Sequence, residues 1–205
     1  MLVFVDGAQG GQAMAEWARP DAAPWSVVGR RLEAEGVSAL QVQAAWIKLA
    51  NKSPTGSLED HGGKLETDTL AVLQNAVARF PNLRIAYLGS RTYGGYAGTA
   101  LNPEPYAYES AFVARRLILR QIGGDPELNP DPARDPVKAP LLLWGPYLWA
   151  DGVEGRKADA LVWDRADFAA DGVHPSASGR AKVARQLLDF FVTDPSAAPW
   201  FAVQP

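Results

Sequence analysis

A histidine and an aspartate lie close together near the end of the sequence, in Asp171-Gly172-Val173-His174-Pro175-Ser176. A histidine that acts as a general base needs a carboxylate on its other ring nitrogen, which fixes the tautomer and stabilises the imidazolium. Two residues three apart in a tight turn are able to make this contact locally. We therefore predict that Asp171 and His174 form a catalytic pair, the alternative being that they only shape a turn before a helix.

The other histidine, His61, has surroundings that indicate no chemistry. It lies in Glu59-Asp60-His61-Gly62-Gly63, within the polar, glycine-rich segment 51–64. Such a composition is typical of a surface loop. We predict a solvated loop histidine without a catalytic role.

Alternating apolar and helical patterns predict the elements that position these residues. Four short apolar runs are typical of buried parallel strands: Leu2–Val5, Val42–Ile47, Leu83–Leu88 and Leu141–Trp144. Helical spacing, with glycine or proline stops, predicts helices through Met14 and Trp17, over Trp25–Glu35, Thr67–Phe80 and Tyr108–Ile122, and from Ser176 or Ser178 through Phe191. This order predicts an α/β fold, a three-layer α/β/α sandwich around a parallel sheet, in one domain over residues 1–205.

The carboxyl ends of the predicted strands indicate where a site would lie. In open parallel sheets the ligand binds outside these ends. The segments 7–12, 48–51, 90–96 and 145–149 each follow one of the four strands. We therefore expect the functional residues at this edge of the sheet.

Composition excludes several classes of protein. With 205 residues, 47% hydrophobic and 21% charged, the chain suits one globular domain and is not disordered. A net charge of −3 without basic clusters argues against nucleic acid or a membrane surface as partner, and no apolar run reaches about 18 residues, the length of a spanning helix. The absence of cysteine excludes thiolate metal sites and cysteine nucleophiles, and two distant histidines show no metal-ligand spacing. We expect a soluble protein without metal or cofactor and without a recognisable signal peptide; its oligomeric state and compartment are left open.

The segment Asp171–Ser176, just before the last helix, resembles the final sequence block of the SGNH (GDSL-like) hydrolases. The resemblance implies a three-layer α/β esterase or acyl hydrolase with a Ser-His-Asp triad, to which His174 and Asp171 would belong. It also implies an ester substrate, either a small molecule or an acylated carbohydrate. The order of elements agrees along nearly the whole chain, but this block alone is specific.

The resemblance also implies an oxyanion hole. The family has a glycine-bearing turn after its second strand, where Val5–Gly11 stands here, and Gly11 is the best positional match for the glycine whose N–H contributes. The family's next block has an Asn or Gln after the third strand. Here Trp46–Asn51 offers Lys48 or Asn51 as the donor, neither in the usual pattern. For all three residues, an ordinary turn or strand-end role is the alternative.

The nucleophile is where the sequence departs from the family. The family places its serine after a first strand, upstream of the glycine turn, but here that turn begins at residue 7. Ser90, in Gly89-Ser90-Arg91 at the active edge, is the fallback nucleophile. In the family's flavodoxin-like strand order, the first strand lies between Leu2–Val5 and Val42–Ile47, so its loss leaves backbone groups of both unpaired. We expect an N-terminally shortened family member that lacks its nucleophile.

Aromatic and charged side chains follow the third and fourth predicted strands. We take Arg91, Tyr93, Tyr147 and Trp149 as candidate substrate-binding residues, because aromatic rings stack on the apolar faces of sugars. The alternative is that these side chains pack the loops against one another.

Two other functions compete with ester hydrolysis. A non-catalytic relative would bind glycans or a partner protein through the aromatic loops. A nucleotide-binding module would also have a glycine turn between strand and helix, but it needs Gly-x-Gly-x-x-Gly, whereas the turn here reads Gly-x-x-Gly-Gly.

Overall fold

The computed structural model describes residues 2–202, and a parallel sheet lies at its centre. The three strands are adjacent in chain order: β1 (Ala44–Lys48), β2 (Ile85–Gly89) and β3 (Leu141–Trp144). Ile85 of β2 stands opposite Ala44 on one side and Leu141 on the other. The α/β fold with a parallel sheet is thus confirmed, as are three of the four predicted strands.

Helices connect and follow the strands. They are α1 (Met14–Trp17), α2 (Ala23–Ala34), α3 (Leu58–Arg79), α4 (Tyr106–Ile122), α5 (Ala177–Thr193) and α6 (Ala198–Phe201). Three single 3-10 turns cover Ala39–Gln41, Pro126–Leu128 and Arg165–Asp167. No helix within residues 2–202 is long and apolar enough to cross a membrane.

Side chains alternate between the two faces of the sheet, and each face has its own core. Ile47, Ala86 and Leu88 belong to the cluster that includes apolar residues of α1 to α4. Trp46 and Tyr87 belong to a second cluster, with residues of α5 and α6. Helices therefore cover both faces, which is compatible with a three-layer α/β/α arrangement.

The prediction of a strand over Leu2–Val5 is wrong. This segment pairs with no strand of the part of the chain that the structure describes, and Leu2 and Phe4 are 48% and 76% exposed. A strand forms only where a neighbouring strand pairs with its backbone N–H and C=O groups. Within residues 2–202, β1 pairs with β2 alone and not with Leu2–Val5. One edge of β1 consequently has no strand partner, and all five of its residues are only half-buried.

The prediction of a loop over residues 51–64 is wrong in its second half. Helix α3 begins at Leu58, nine residues before the predicted start at Thr67, because Ser57 caps it. The Asp60 carboxylate accepts the Ser57 N–H at 2.9 Å, and the Ser57 hydroxyl accepts the Asp60 N–H at 3.3 Å. His61 is therefore a helical residue, 7% exposed, and not a solvated loop residue.

Candidate active site

Asp171 and His174 contact each other in the turn before α5. His174 Nδ1 lies 2.5 Å from Asp171 Oδ2, and Asp171 Oδ1 accepts the backbone N–H groups of Val173 and His174, each at 3.0 Å. The contact with the His174 ring, together with these backbone hydrogen bonds, lowers the pKa of the Asp171 carboxyl from 3.8 to about 2. Asp171, the partner of the His174 ring, is therefore an ionised carboxylate at any pH well above 2.

A glycine makes this turn possible. Gly172 has φ of +72°, in the left-handed region, and a Cβ there would lie 1.7 Å from the Tyr96 carbonyl oxygen. The Asp171 carbonyl also accepts the Gly98 N–H at 2.9 Å. The turn is thus held against the loop that follows β2, which brings it to the carboxyl-end side of the sheet.

The other side of the turn is held by backbone contacts to the preceding segment. Phe168 and Pro175 form an isolated antiparallel bridge, and the Ala169 N–H donates to the His174 carbonyl at 2.7 Å. Ser176 is the N-cap of α5, where its hydroxyl accepts the Gly179 N–H. The backbone on both sides of His174 is therefore fixed, which limits where the imidazole ring can lie.

The His174 ring itself is open to reaction. Its side chain is 65% exposed. Among residues 2–202, no hydrogen bond engages its Nε2 atom, since the ring's one contact is through Nδ1. This arrangement suits a general base whose outer nitrogen takes a proton while the inner nitrogen stays on a carboxylate.

A cavity of about 170 Å³ lies beside this turn, at the carboxyl ends of the strands. Lys48 from the end of β1, Thr92 after β2 and Leu148 after β3 line it, and Pro175 borders it directly after His174. Val183 and Leu187 of α5 close it with apolar side chains. The cavity therefore lies at the edge of the sheet where the sequence predicts the site.

Lys48 is the predicted oxyanion donor that faces this cavity. Its burial and, to a smaller extent, the charge of Arg91 lower its pKa to about 7. No hydrogen bond or ion pair joins Lys48 to another residue of the described chain. Its ammonium, when protonated, is therefore a donor without an acceptor.

Gly11 and Asn51, the other predicted donors, are brought to the same end of β1. Gly11 lies in an exposed turn with φ of +71°, just before α1. That turn is tied to the strand end, because the Met14 N–H donates to the Ala50 carbonyl and the Ala15 N–H to Asn51 Oδ1, each at 2.9 Å. Asn51 Nδ2 donates to Asp68 Oδ2 at 2.5 Å. These contacts engage both ends of the buried Asn51 amide in holding the glycine turn in place.

Ser90 is wrong as a fallback nucleophile. Its side chain is fully buried, and its hydroxyl oxygen accepts the Leu148 N–H at 2.8 Å. A substrate carbonyl has no access to it. No hydrogen bond within residues 2–202 joins any serine hydroxyl to His174.

The predicted aromatic residues contact one another across the loops. Both oxygens of Glu104 are engaged, since they accept the Gly94 N–H, the Tyr108 N–H and the Trp149 indole N–H at 2.8 to 2.9 Å. The Trp149 ring centre lies 4.6 Å from that of Tyr108 and 6.4 Å from that of Tyr93. The guanidinium of Arg156 lies over the Tyr147 ring, 5.6 Å from its centre. Tyr93, Tyr147 and Trp149 thus pack the loops against one another, and their part in substrate binding stays a prediction.

Arg91, the remaining candidate, is a half-buried cation. Burial lowers its pKa to about 10, against the opposing effect of the Glu104 charge. Its Nε atom is buried without a hydrogen-bond partner. Arg91 forms no ion pair with any carboxylate among residues 2–202.

Sequence reasoning missed a second histidine–carboxylate pair. His61 Nε2 lies 2.6 Å from Glu109 Oε2, and the His61 ring packs edge-on against Tyr106, 4.8 Å between ring centres. The pair joins α3 to α4 beside a cavity of about 10 Å³, the size that holds about one water molecule. The cap at Ser57 and Asp60 is the sequence signal that would have placed His61 on a helix.

Neither metal-site geometry nor a related protein assigns the site. Within the described residues, no group of three histidine, aspartate or glutamate side chains is arranged to hold a metal ion. Comparison of the chain with family models, with curated proteins and with solved structures finds no match. The site is therefore interpreted from its own geometry.

Proposed function

We propose that this chain belongs to a serine ester hydrolase of the SGNH type, acting on a small-molecule or acylated carbohydrate ester. The observation that carries the proposal is the Asp171–His174 pair. Its Nε2 atom makes no hydrogen bond within residues 2–202, and the next residue, Pro175, lines a cavity at the strand ends. The resemblance of Asp171–Ser176 to the family's last block supports the same assignment.

In this reaction His174 Nε2 takes the proton of a serine hydroxyl while the serine oxygen attacks the ester carbonyl. Asp171 stabilises the imidazolium that forms, and the Gly11 N–H is the proposed donor to the oxyanion. Collapse of the tetrahedral intermediate releases the alcohol, which takes the proton from His174. Water activated by the same histidine then hydrolyses the acyl-enzyme.

The serine belongs, in this proposal, to a further parallel strand on the unpaired edge of β1. Parallel neighbours end at the same edge of a sheet, so a residue that follows such a strand lies beside Lys48 and the cavity. The family's strand order has its nucleophile strand in this position.

The test compares the 205-residue chain with the chain extended by the coding sequence directly upstream. We expect the extended chain to hydrolyse p-nitrophenyl acetate, and His174→Ala to lower its kcat by about 10³-fold or more, since triad members act as a unit. The 205-residue chain should be no faster than its own His174→Ala variant. An upstream sequence without a serine-bearing strand, or an extended chain whose rate does not depend on His174, would contradict the proposal.

A further inference from the structure

Two cationic side chains without carboxylate partners lie together at the carboxyl ends of β1 and β2. Lys48 is the last residue of β1, and Arg91 follows β2 by two residues. In the sheet register Lys48 stands opposite Gly89, and Thr92, the residue after Arg91, lines the same cavity as Lys48. Neither cation forms an ion pair within the described chain. The Nε atom of Arg91 has no acceptor at all among these residues.

Other partly buried cations of the molecule, in contrast, have carboxylate partners. Arg120 lies 2.7 Å from Glu66 and 2.6 Å from Asp125, and Lys182 is paired with Asp167. An unpaired cation in an enclosed site is costly because it loses water without gaining a counter-charge. Two such cations side by side therefore indicate a place for an anion from outside the described chain.

The charged groups nearby do not supply that anion. Glu104 acts on Arg91 but forms no ion pair with it, and both its oxygens are engaged by N–H groups. Arg180, which also lines the cavity, adds positive charge, and its guanidinium donates to the Pro175 carbonyl at 3.1 Å. The charged residues that line the cavity, Lys48 and Arg180, are thus both cationic.

Apart from Lys48, Thr92 and Arg180, the side chains that line this cavity are apolar. Leu148, Val183, Ala184 and Leu187 contribute aliphatic walls around its volume of about 170 Å³. That volume holds several groups of the size of a water molecule, which takes up about 30 Å³ in the liquid. A ligand that fits both features has an anionic end and a short aliphatic chain.

We infer that Lys48 and Arg91 bind the carboxylate of a short aliphatic acid whose chain fills this cavity. This inference rests on the proposed function in one respect, that the carboxylate is part of a substrate. The substrate is then an ester that also carries a free carboxylate, such as a half-ester of a short dicarboxylic acid. A planar guanidinium beside an ammonium suits a carboxylate, because it donates two parallel hydrogen bonds. The enclosed Nε leaves the terminal nitrogens of Arg91 to make them.

The test is direct binding of hexanoate to the 205-residue chain, measured by calorimetry, which requires no turnover. 1-Hexanol, with the same chain and no charge, is the ligand control. Lys48→Met and Arg91→Met remove the proposed partners, and Lys157→Met removes an exposed cation with the same change in net charge. Thermal unfolding of each variant confirms that it is folded.

We expect saturable hexanoate binding that weakens at least about tenfold in Lys48→Met and in Arg91→Met, the loss of a charge-assisted contact, and is unchanged in Lys157→Met. 1-Hexanol should bind at least about tenfold more weakly than hexanoate to the unaltered chain. Failure of hexanoate to bind, equal binding by folded Lys48→Met and Arg91→Met, or equal binding of 1-hexanol would overturn the inference. If the extended chain hydrolyses esters but hexanoate does not bind, the inference fails and the proposed function stands. If hexanoate binds but the extended chain hydrolyses no ester, the proposed function fails and the carboxylate site stands.

Discussion

At the scale of single residues, Asp171 and Lys48 lie in opposite electrostatic surroundings. Asp171 is surrounded by donors, so its charge is favoured, whereas Lys48 is half-buried without an acceptor among residues 2–202, so its charge is disfavoured. The first arrangement keeps a histidine oriented, and the second leaves a cation for the ligand that we propose. Each arrangement leads to expected results that differ from those for ordinary side-chain packing.

Asp171→Asn tests whether the carboxylate works with His174. In the extended chain we expect kcat for p-nitrophenyl acetate to fall by about 10³- to 10⁴-fold, because an amide neither fixes the required tautomer nor stabilises the imidazolium. Asp189→Asn, which alters an exposed carboxylate on α5, is the matched control and should leave kcat unchanged. If Asp171→Asn also leaves kcat unchanged, Asp171 is a turn residue only.

The titration of Asp171 provides a check that needs no activity. Because its pKa is lowered from 3.8 to about 2 in the folded protein, the stability contributed by its ionised form is present above pH 4 and is lost as the pH falls through about 2. Carboxyl carbon NMR should show a midpoint near pH 2 for Asp171. A midpoint near 4 would mean that the contact with His174 and the backbone N–H groups is not made in solution.

Lys48→Met should stabilise the protein in a way that depends on pH. With a pKa of about 7 when folded and an ordinary value of 10.5 when unfolded, Lys48 binds fewer protons in the folded state between these values, so the unaltered chain gains stability as the pH rises from 7 towards 10. The stabilisation by Lys48→Met, measured by urea unfolding in buffers without carboxylates, is therefore greatest at pH 6 and shrinks towards pH 10. A difference that does not vary with pH would contradict the burial of the Lys48 ammonium.

At the scale of elements, the turn that carries His174 depends on one backbone position. Gly172 is the residue whose left-handed backbone lets the chain pass against the Tyr96 carbonyl. The same turn positions Pro175 at the cavity and Ser176 at the start of α5. A change at this glycine should therefore reach both the stability and the site.

Gly172→Ala should lower the free energy of unfolding by about 2 kcal/mol or more, because a Cβ meets the Tyr96 carbonyl oxygen and the backbone is strained. Gly10→Ala is the control, since a Cβ there meets no atom within 4 Å. Urea unfolding measures both. Equal stability of the two variants would show that the loop after β2 does not press on the turn.

The elements also show which parts of the fold follow from local pattern. The apolar runs over 83–88 and 141–144 were predicted as strands because buried parallel strands are short and continuously apolar, and the helix after Ser176 because a cap precedes its periodic residues. Leu2–Val5 has an equally strand-like pattern, but pairing is not a local property and no neighbour holds it. The Asp171–His174 contact was predictable because both partners lie in one turn. The His61–Glu109 contact was not, since it joins residues 48 apart on two helices.

At the scale of the whole molecule, the unpaired edge of β1 is the feature that the proposed function must explain. An edge strand has unpaired backbone N–H and C=O groups, which can pair with a strand of another chain. In a strand, the N–H groups of alternate residues point to opposite edges, and the Leu49 N–H donates towards β2 to the Gly89 carbonyl. The N–H groups of Trp46 and Lys48 therefore point to the bare edge, and that of Ile47 points to β2.

Hydrogen exchange tests this edge with an internal control. In the 205-residue chain the Trp46 and Lys48 amides should exchange at least about tenfold faster than the Ile47 and Leu49 amides, because only the latter are bonded to β2. In the extended chain, all four should be protected if a further strand pairs there. Unchanged fast exchange of Trp46 and Lys48 after extension would place the added segment elsewhere.

The most direct test of the account is labelling with a serine-reactive fluorophosphonate, read by peptide mass spectrometry on both chains. The account predicts no labelling of the 205-residue chain and stoichiometric labelling of one serine upstream of it in the extended chain, with labelling lost in His174→Ala. Stoichiometric, His174-dependent labelling of any serine within the 205 residues would contradict the account, as would an extended chain that is not labelled at all.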